Sequence, residues 1–127
     1  MPARRERVEV LIVEDDAAIA EMYRMQLEAD GYCVEVAGSA SAALTSVDRC
    51  LPDLVLLNIL LPGQDEFAVL EHLRQAVGAA PPVVILSNYS EPAMVDRGLS
   101  LGALDYFVKS RVTPDQVSRS IPDGSTA

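Results

Sequence analysis

Polar residues able to do chemistry appear at a repeated place in this chain: just where an apolar stretch ends. VEVLIV (residues 8–13) runs into Glu14, Asp15 and Asp16; DLVLL (53–57) into Asn58; PVVIL (82–86) into Ser87 and Asn88; LDYFV (104–108) into Lys109. Two adjacent carboxylates with one more oxygen donor suit an octahedral Mg²⁺, a hard cation that takes oxygen ligands. A hydroxyl and an ammonium beside them suit phosphoryl oxygens. Such chemistry needs the four places to converge, so the elements that carry them come next.

The apolar period alternates between two templates along the whole chain. VEVLIV is β-branched and almost wholly apolar, as expected of a strand covered on both faces. DAAIAEMYRMQLEADG then reads as a helix from an N-cap at Asp16 to a C′ glycine at Gly31, with Ile19, Met22, Tyr23 and Leu27 on one stripe. CVEVA is a short strand, and Ala40, Ala43, Leu44, Val47 and Leu51 trace a second helix that Pro52 closes. DLVLL is a third strand, EFAVLEHLRQAV a helix through Phe67, Leu70, Leu73 and Val77, and PVVILS a fourth strand. EPAMVDRGLSLG is a helix from Pro92 to Gly102, LDYFVK a fifth strand, and TPDQVSRSI a short fifth helix capped by Thr113 and Pro114.

Five βα units imply parallel pairing and right-handed crossovers that cover both faces of the sheet. The predicted fold is α/β, a doubly wound sandwich, and in such sheets ligands sit beyond the carboxyl ends of the strands. The polar residues named above therefore share one rim.

Composition narrows the function classes. A chain of 127 residues, half hydrophobic, supports a single core. Residues 1–7 read as a basic leader, 8–121 as the domain, and 122–127 as a disordered tail. A formal charge of −9 disfavours direct nucleic-acid binding. No apolar run approaches the roughly 18 residues of a membrane span, and the leader lacks the apolar middle of a secretory signal, so a cytoplasmic protein without a membrane contact is expected. Cys33 and Cys50 have no metal-site spacing and read as buried thiols. Asp16 reads as a helix cap, and His72 as solvent-facing on the polar side of its helix.

With those residues in view, the chain resembles the CheY-like receiver domain of bacterial two-component response regulators, over about Val8 to Ile121. VLIVEDD, PDLVLLNILLPGQDEF, VVILSN and GALDYFVKS carry the likeness in order, spacing and strand context. The resemblance implies a flavodoxin-like (βα)5 fold with strand order 2-1-3-4-5. It implies that Glu14, Asp15 and the backbone carbonyl of Leu60 hold Mg²⁺, that Ser87 and Lys109 contact the phosphoryl group, and that Tyr106 is the switch aromatic. Partners implied are a histidine kinase or another signalling protein, and the face made by the fourth helix, fifth strand and fifth helix serves for output and for a homodimer.

Asn58 stands where the family has the phosphoaccepting aspartate. An amide is neutral and its nitrogen lone pair is delocalised, so it is no substitute for a carboxylate nucleophile. It also removes one charge from the metal site, so Mg²⁺ is expected to bind weakly. It retains one acceptor and two hydrogens to donate, enough to hold the rim together through Lys109 or a backbone group. Asn88, Glu66 and Ser110 depart from the family pattern around the same site. Ser110 replaces a proline; with a cis cost of about 2.5–4 kcal/mol against about 0.5–1 for X-Pro, the Lys109–Ser110 bond should be trans and its loop reshaped. Asp65 lies on a loop, not at a strand end, and makes a poor substitute acceptor.

The sequence thus predicts a receiver domain in phosphorelay signalling that is not phosphorylated as it stands and acts as a protein-interaction module without enzymatic activity. The alternative is a conventional phosphoaccepting switch, with Asn58 an engineered replacement of Asp or bypassed by another acceptor. A dehalogenase-type hydrolase would need an Asp nucleophile and a second Asp two residues on, and NILLP has neither.

Overall fold

Five strands, β1 (Glu9–Val13), β2 (Cys33–Ala37), β3 (Leu54–Ile59), β4 (Val83–Ser87) and β5 (Asp105–Val108), form one parallel sheet in the order β2-β1-β3-β4-β5. The computed structural model describes residues 8–59, 71–72, 81–87, 92–100 and 103–121. Four helices complete the labelled elements: α1 (Ala17–Ala29), α2 (Ala40–Arg49), α3 (Pro92–Ser100) and α4 (Pro114–Ser120), the last two being the fourth and fifth of the predicted helices. The helix predicted through Phe67, Leu70, Leu73 and Val77 falls mostly outside the described residues; Glu71 and His72 within it are helical.

Strand alternation sorts the core into two layers. Leu11, Val13, Val55, Leu57, Val83 and Ile85 meet Ala43 and Val47 of α2 on one face. Val10, Ile12, Leu54, Leu56, Val84 and Leu86 meet Tyr23 and Leu27 of α1 and Val117 of α4 on the other. A strand apolar at every position is what two covered faces require. β2, at the sheet edge, is covered less: Cys33, Glu35 and Val36 are exposed.

The helix ends follow the sequence signals. Asp16 Oδ1 accepts from the backbone N–H of Ala18 and Ile19, which caps α1. At the other end Gly31 has φ +101°, Tyr32 N–H donates to the Leu27 carbonyl and Gly31 N–H to the Glu28 carbonyl, a Schellman closure that needs the left-handed glycine. Thr113 and Gln116 form a reciprocal capping box at α4, with Pro114 in its first turn.

Three expectations about burial fail. Met22 is 48 % exposed, so the apolar stripe of α1 is narrower than its period suggested. Leu51 is 42 % exposed because α2 ends at Arg49, two residues before it. Cys33 and Cys50 are exposed free thiols: the first begins the edge strand and the second is the C-cap of α2. Both line a hollow of about 220 Å³ at the start of β1 and β2, the opposite end of the sheet from the polar rim.

Candidate functional site

Glu14 follows β1 directly, Asn58 is the penultimate residue of β3, and Lys109 follows β5. Parallel pairing puts these three carboxyl-terminal ends side by side, with Val13 opposite Leu57 and Ser87 opposite both Ile59 and Val108. The result is a small closed network around one carboxylate. Asn58 Nδ2 donates to Glu14 Oε2 at 3.0 Å, the Asp16 backbone N–H donates to the same oxygen at 3.2 Å, and Lys109 Nζ donates to Glu14 Oε1 at 3.2 Å. The Glu14 and Lys109 side chains are only 2 % and 12 % exposed.

Burial pushes the Glu14 carboxyl above its ordinary range; the Asp16 N–H and then the charge and hydrogen bond of Lys109 pull it back, while Asp15's charge pushes it up. Asn58 is buried and its Oδ1 has no hydrogen-bond partner among the described residues. The amide orientation follows from chemistry: an ionised carboxylate only accepts, so it must face the NH₂.

The predicted site residues fall into four groups. Glu14, Asn58 and Lys109 are in contact. Asp15 is exposed, so the expected acidic pair is split between one buried and one solvated carboxylate. Ser87 and Tyr106 continue the other face of the sheet by strand alternation: Ser87 is fully buried two residues after Ile85, and Tyr106 packs against the same layer as Ile85. Asn58 contacts Glu14, not the Lys109 or backbone partner expected for it. Leu60, Asp65, Glu66 and Asn88 lie outside the described residues.

Two local features position the rim. No cis peptide occurs among the described residues, so Lys109–Ser110 is trans as expected, and the chain turns at once into a 3₁₀ helix over Lys109–Arg111. Gly98 brings α3 close to the sheet: a Cβ there would lie 2.7 Å from Ile85 Cδ1 and 3.2 Å from Tyr106 Cδ2. Sequence reasoning missed Gly98, because a glycine inside a helix signals close approach only when the opposing surface is known. The half-buried His72 pairs with Asp48 of α2 at 3.0 Å, away from the rim.

Three comparisons bear on this arrangement. The family model for the response regulator receiver domain matches residues 10–121. The chain belongs to that family. It is 38 % identical over 113 residues to the DNA-binding response regulator MtrA of Mycobacterium tuberculosis, an alignment covering 89 % of this chain and 49 % of that protein. The chain thus spans about half the length of the curated relatives it matches. Among solved structures it is similar to a CheY-like receiver domain protein from Methanospirillum hungatei, with TM-score 0.79, 28 % identity and coverage of 91 % of this chain and 90 % of that one. It is also similar to the BeF3-activated receiver domain of Klebsiella pneumoniae RstA, with TM-score 0.74, 30 % identity and coverage of 88 % and 94 %. The flavodoxin-like strand order expected from the sequence is the observed one.

Receiver domains commonly hold Mg²⁺ at this rim. Of the three residues expected to hold it, Glu14 and Asp15 are described and Leu60 is not. Among the described residues Glu14 Oε2 accepts two hydrogen bonds and Oε1 one, Asn58 Oδ1 is a neutral inner oxygen, and Asp15 faces solvent. Among the described residues no group of three or more His, Cys, Asp or Glu side chains is placed to hold a metal ion.

Proposed function

We propose that this receiver domain works in two-component signalling by shape and contact and does not accept phosphate. The observation that carries the reading is the 3.0 Å hydrogen bond from Asn58 Nδ2 to Glu14 Oε2. At the end of β3, where attack on a phosphodonor would start, stands a neutral amide whose nitrogen is tied inward and whose oxygen is a poor nucleophile. Lys109 is paired with Glu14, so a phosphoryl oxygen arriving there would compete with a buried carboxylate for the ammonium.

On this reading the domain has no enzymatic role, acts in the cytoplasm, and binds divalent ions weakly. Its partners are a histidine kinase or another signalling protein, reached through α3, β5 and α4. Leu99 and Leu104, 44 % and 51 % exposed, lie on and beside α3 and supply apolar area for such a contact or for a homodimer. The MtrA relative is a DNA-binding protein by name; for this chain the charge of −9 favours a protein partner over nucleic acid.

The test is incubation with acetyl phosphate or a cognate kinase and Mg²⁺, followed by intact mass. An unchanged mass is expected, and a stoichiometric phosphate-sized increment refutes the proposal. Asn58→Asp under the same conditions should recover phosphoacceptance if the amide is the only obstacle.

A further inference from the structure

We infer that the hollow at the start of β1 and β2 is a two-thiol oxidation site, in which Cys33 and Cys50 form a reversible disulfide with a hydroperoxide as the oxidant. This goes beyond the reading above and does not rest on it: the hollow lies at the opposite end of the sheet from the polar rim, and no step uses phosphate.

Both cysteines are exposed free thiols, and both line the same hollow of about 220 Å³. The backbone at each is pinned. Cys33 is the register partner of Glu9, and its N–H donates to the Val8 carbonyl at 3.0 Å. Cys50 is the C-cap of α2, with its N–H on the Ser46 carbonyl at 3.0 Å. A few residues later the chain returns to the same Glu9: the Asp53 N–H donates to the Glu9 carbonyl at 2.8 Å, and the Glu9 N–H to Asp53 Oδ2 at 2.8 Å. Glu9 therefore has the strand that begins with Cys33 on one side and the segment that follows Cys50 on the other. Folding confines to one small opening two thiols that sixteen intervening residues separate in the sequence. Among the described residues no group of three or more His, Cys, Asp or Glu side chains is placed to hold a metal ion, so the chemistry open to the pair is their own oxidation.

The lining bears on which oxidant enters. Glu9 and Glu35 are acidic and Val34 and Pro52 apolar, a wall that disfavours an anionic disulfide and admits a small neutral hydroperoxide. With hydrogen peroxide, one sulfur attacks a peroxide oxygen, the O–O bond breaks, and a sulfenic acid and one water form. The second sulfur then displaces hydroxide from the sulfenic sulfur; the hydroxide leaves as a second water with the thiol's proton. The two thiols lose two electrons and two protons, and the peroxide takes up both. A thiol reductant reverses the bond by exchange.

The experiment treats the reduced whole chain with hydrogen peroxide, alkylates the remaining thiols with iodoacetamide, and reads intact mass and a peptide map. Expected is a monomer without alkyl groups whose map joins the Cys33 and Cys50 peptides at a mass lower by two hydrogens, and which dithiothreitol returns to two alkylatable thiols. The bridge should form on the order of ten times faster in the folded chain than in urea-unfolded chain, because folding holds the two sulfurs in one opening. It should also raise the folded-to-unfolded ratio on the order of a hundredfold, the effect of closing a loop of this length. Cys33→Ser and Cys50→Ser should each lose the bridge and carry the remaining thiol on to sulfinic acid. Disulfides between chains, sulfinic acid in the wild type with no bridge, or thiols that stay alkylatable overturn the inference. So does a bridge that forms no faster in the folded chain, or one that leaves the chain no more stable than its reduced form. No phosphodonor is present, so failure here and failure of the mass experiment with acetyl phosphate are separate events.

Discussion

Replacing Lys109 with Met keeps a long apolar stem and removes only the ammonium. The side chain it leaves behind, Glu14, is 2 % exposed and cannot turn to water without leaving its pocket. Breaking a buried pair by deleting one partner typically costs about 3–5 kcal/mol, because the remaining charge is uncompensated. Here two N–H donors, from Asn58 and Asp16, still face Glu14 Oε2, so a loss of about 3 kcal/mol at pH 7 is expected. For a domain of this size that lowers Tm by on the order of 10 °C. Urea unfolding of Lys109→Met, Glu14→Gln and the double variant forms the assay. The double variant should be more stable than Lys109→Met alone by more than about 1 kcal/mol, since a neutral amide needs no counterion.

The pH dependence gives a second reading of the same pair. Glu14 in the folded state holds its proton to higher pH than the usual 4.5, chiefly through burial, against the pull of the Asp16 N–H and Lys109 and with Asp15 adding repulsion. Between 4.5 and that raised value the folded state binds more protons than the unfolded one, so this group's contribution to stability falls as pH rises through the window. Removing Lys109 deletes two of the influences that lower the value, so the window extends upward. The stability gap between wild type and Lys109→Met should therefore narrow on acidification. A variant as stable as wild type at pH 7, or a gap that does not change between pH 7 and pH 5, would refute the reasoning.

Gly98→Ala should cost about 1 kcal/mol in urea unfolding, a clash of about 1–3 kcal/mol with Ile85 Cδ1 partly offset by about 1 kcal/mol of helix propensity. Ile85→Val removes that Cδ1 and should be less costly in the Gly98→Ala background than in the wild type. Thr113→Ala breaks the capping box of α4 and should lower stability by about 1 kcal/mol, with α4 amides gaining hydrogen exchange first. Ser118→Ala deletes the 2.5 Å hydrogen bond from Ser118 Oγ to Asp30 Oδ2 that joins α4 to the end of α1, and should lower Tm at neutral pH. That hydroxyl, with the Gln26 amide, holds the Asp30 carboxyl below its usual range, so the contribution is present above the unfolded carboxyl's range and lost as pH falls through the folded value. The Tm difference between Ser118→Ala and wild type should accordingly shrink in strong acid.

Much of this molecule was legible in the amino-acid order, because the features concerned are local. Continuous apolar runs marked strands covered on both faces, Asp16, Gly31 and Thr113 marked helix ends, and the alternation of strands with long crossovers dictated a parallel sheet whose polar exits share one rim. The neutrality of Asn58, and with it the chemical argument against phosphate capture, is a property of the residue type alone. Tertiary structure decided how far burial reaches and who bonds to whom. A helical period does not say how wide a neighbour's covering is, so Met22 and Leu51 were placed inside and are not; the ends of β2 and α2 proved open, so Cys33 and Cys50 are exposed. Glu14 meets Asn58 across 44 residues and Lys109 across 95, and only the strand order and register bring those three ends together. The same packing separates Glu14 from its sequence neighbour Asp15, since consecutive residues leaving a strand point to opposite sides, one into the protein and one into water.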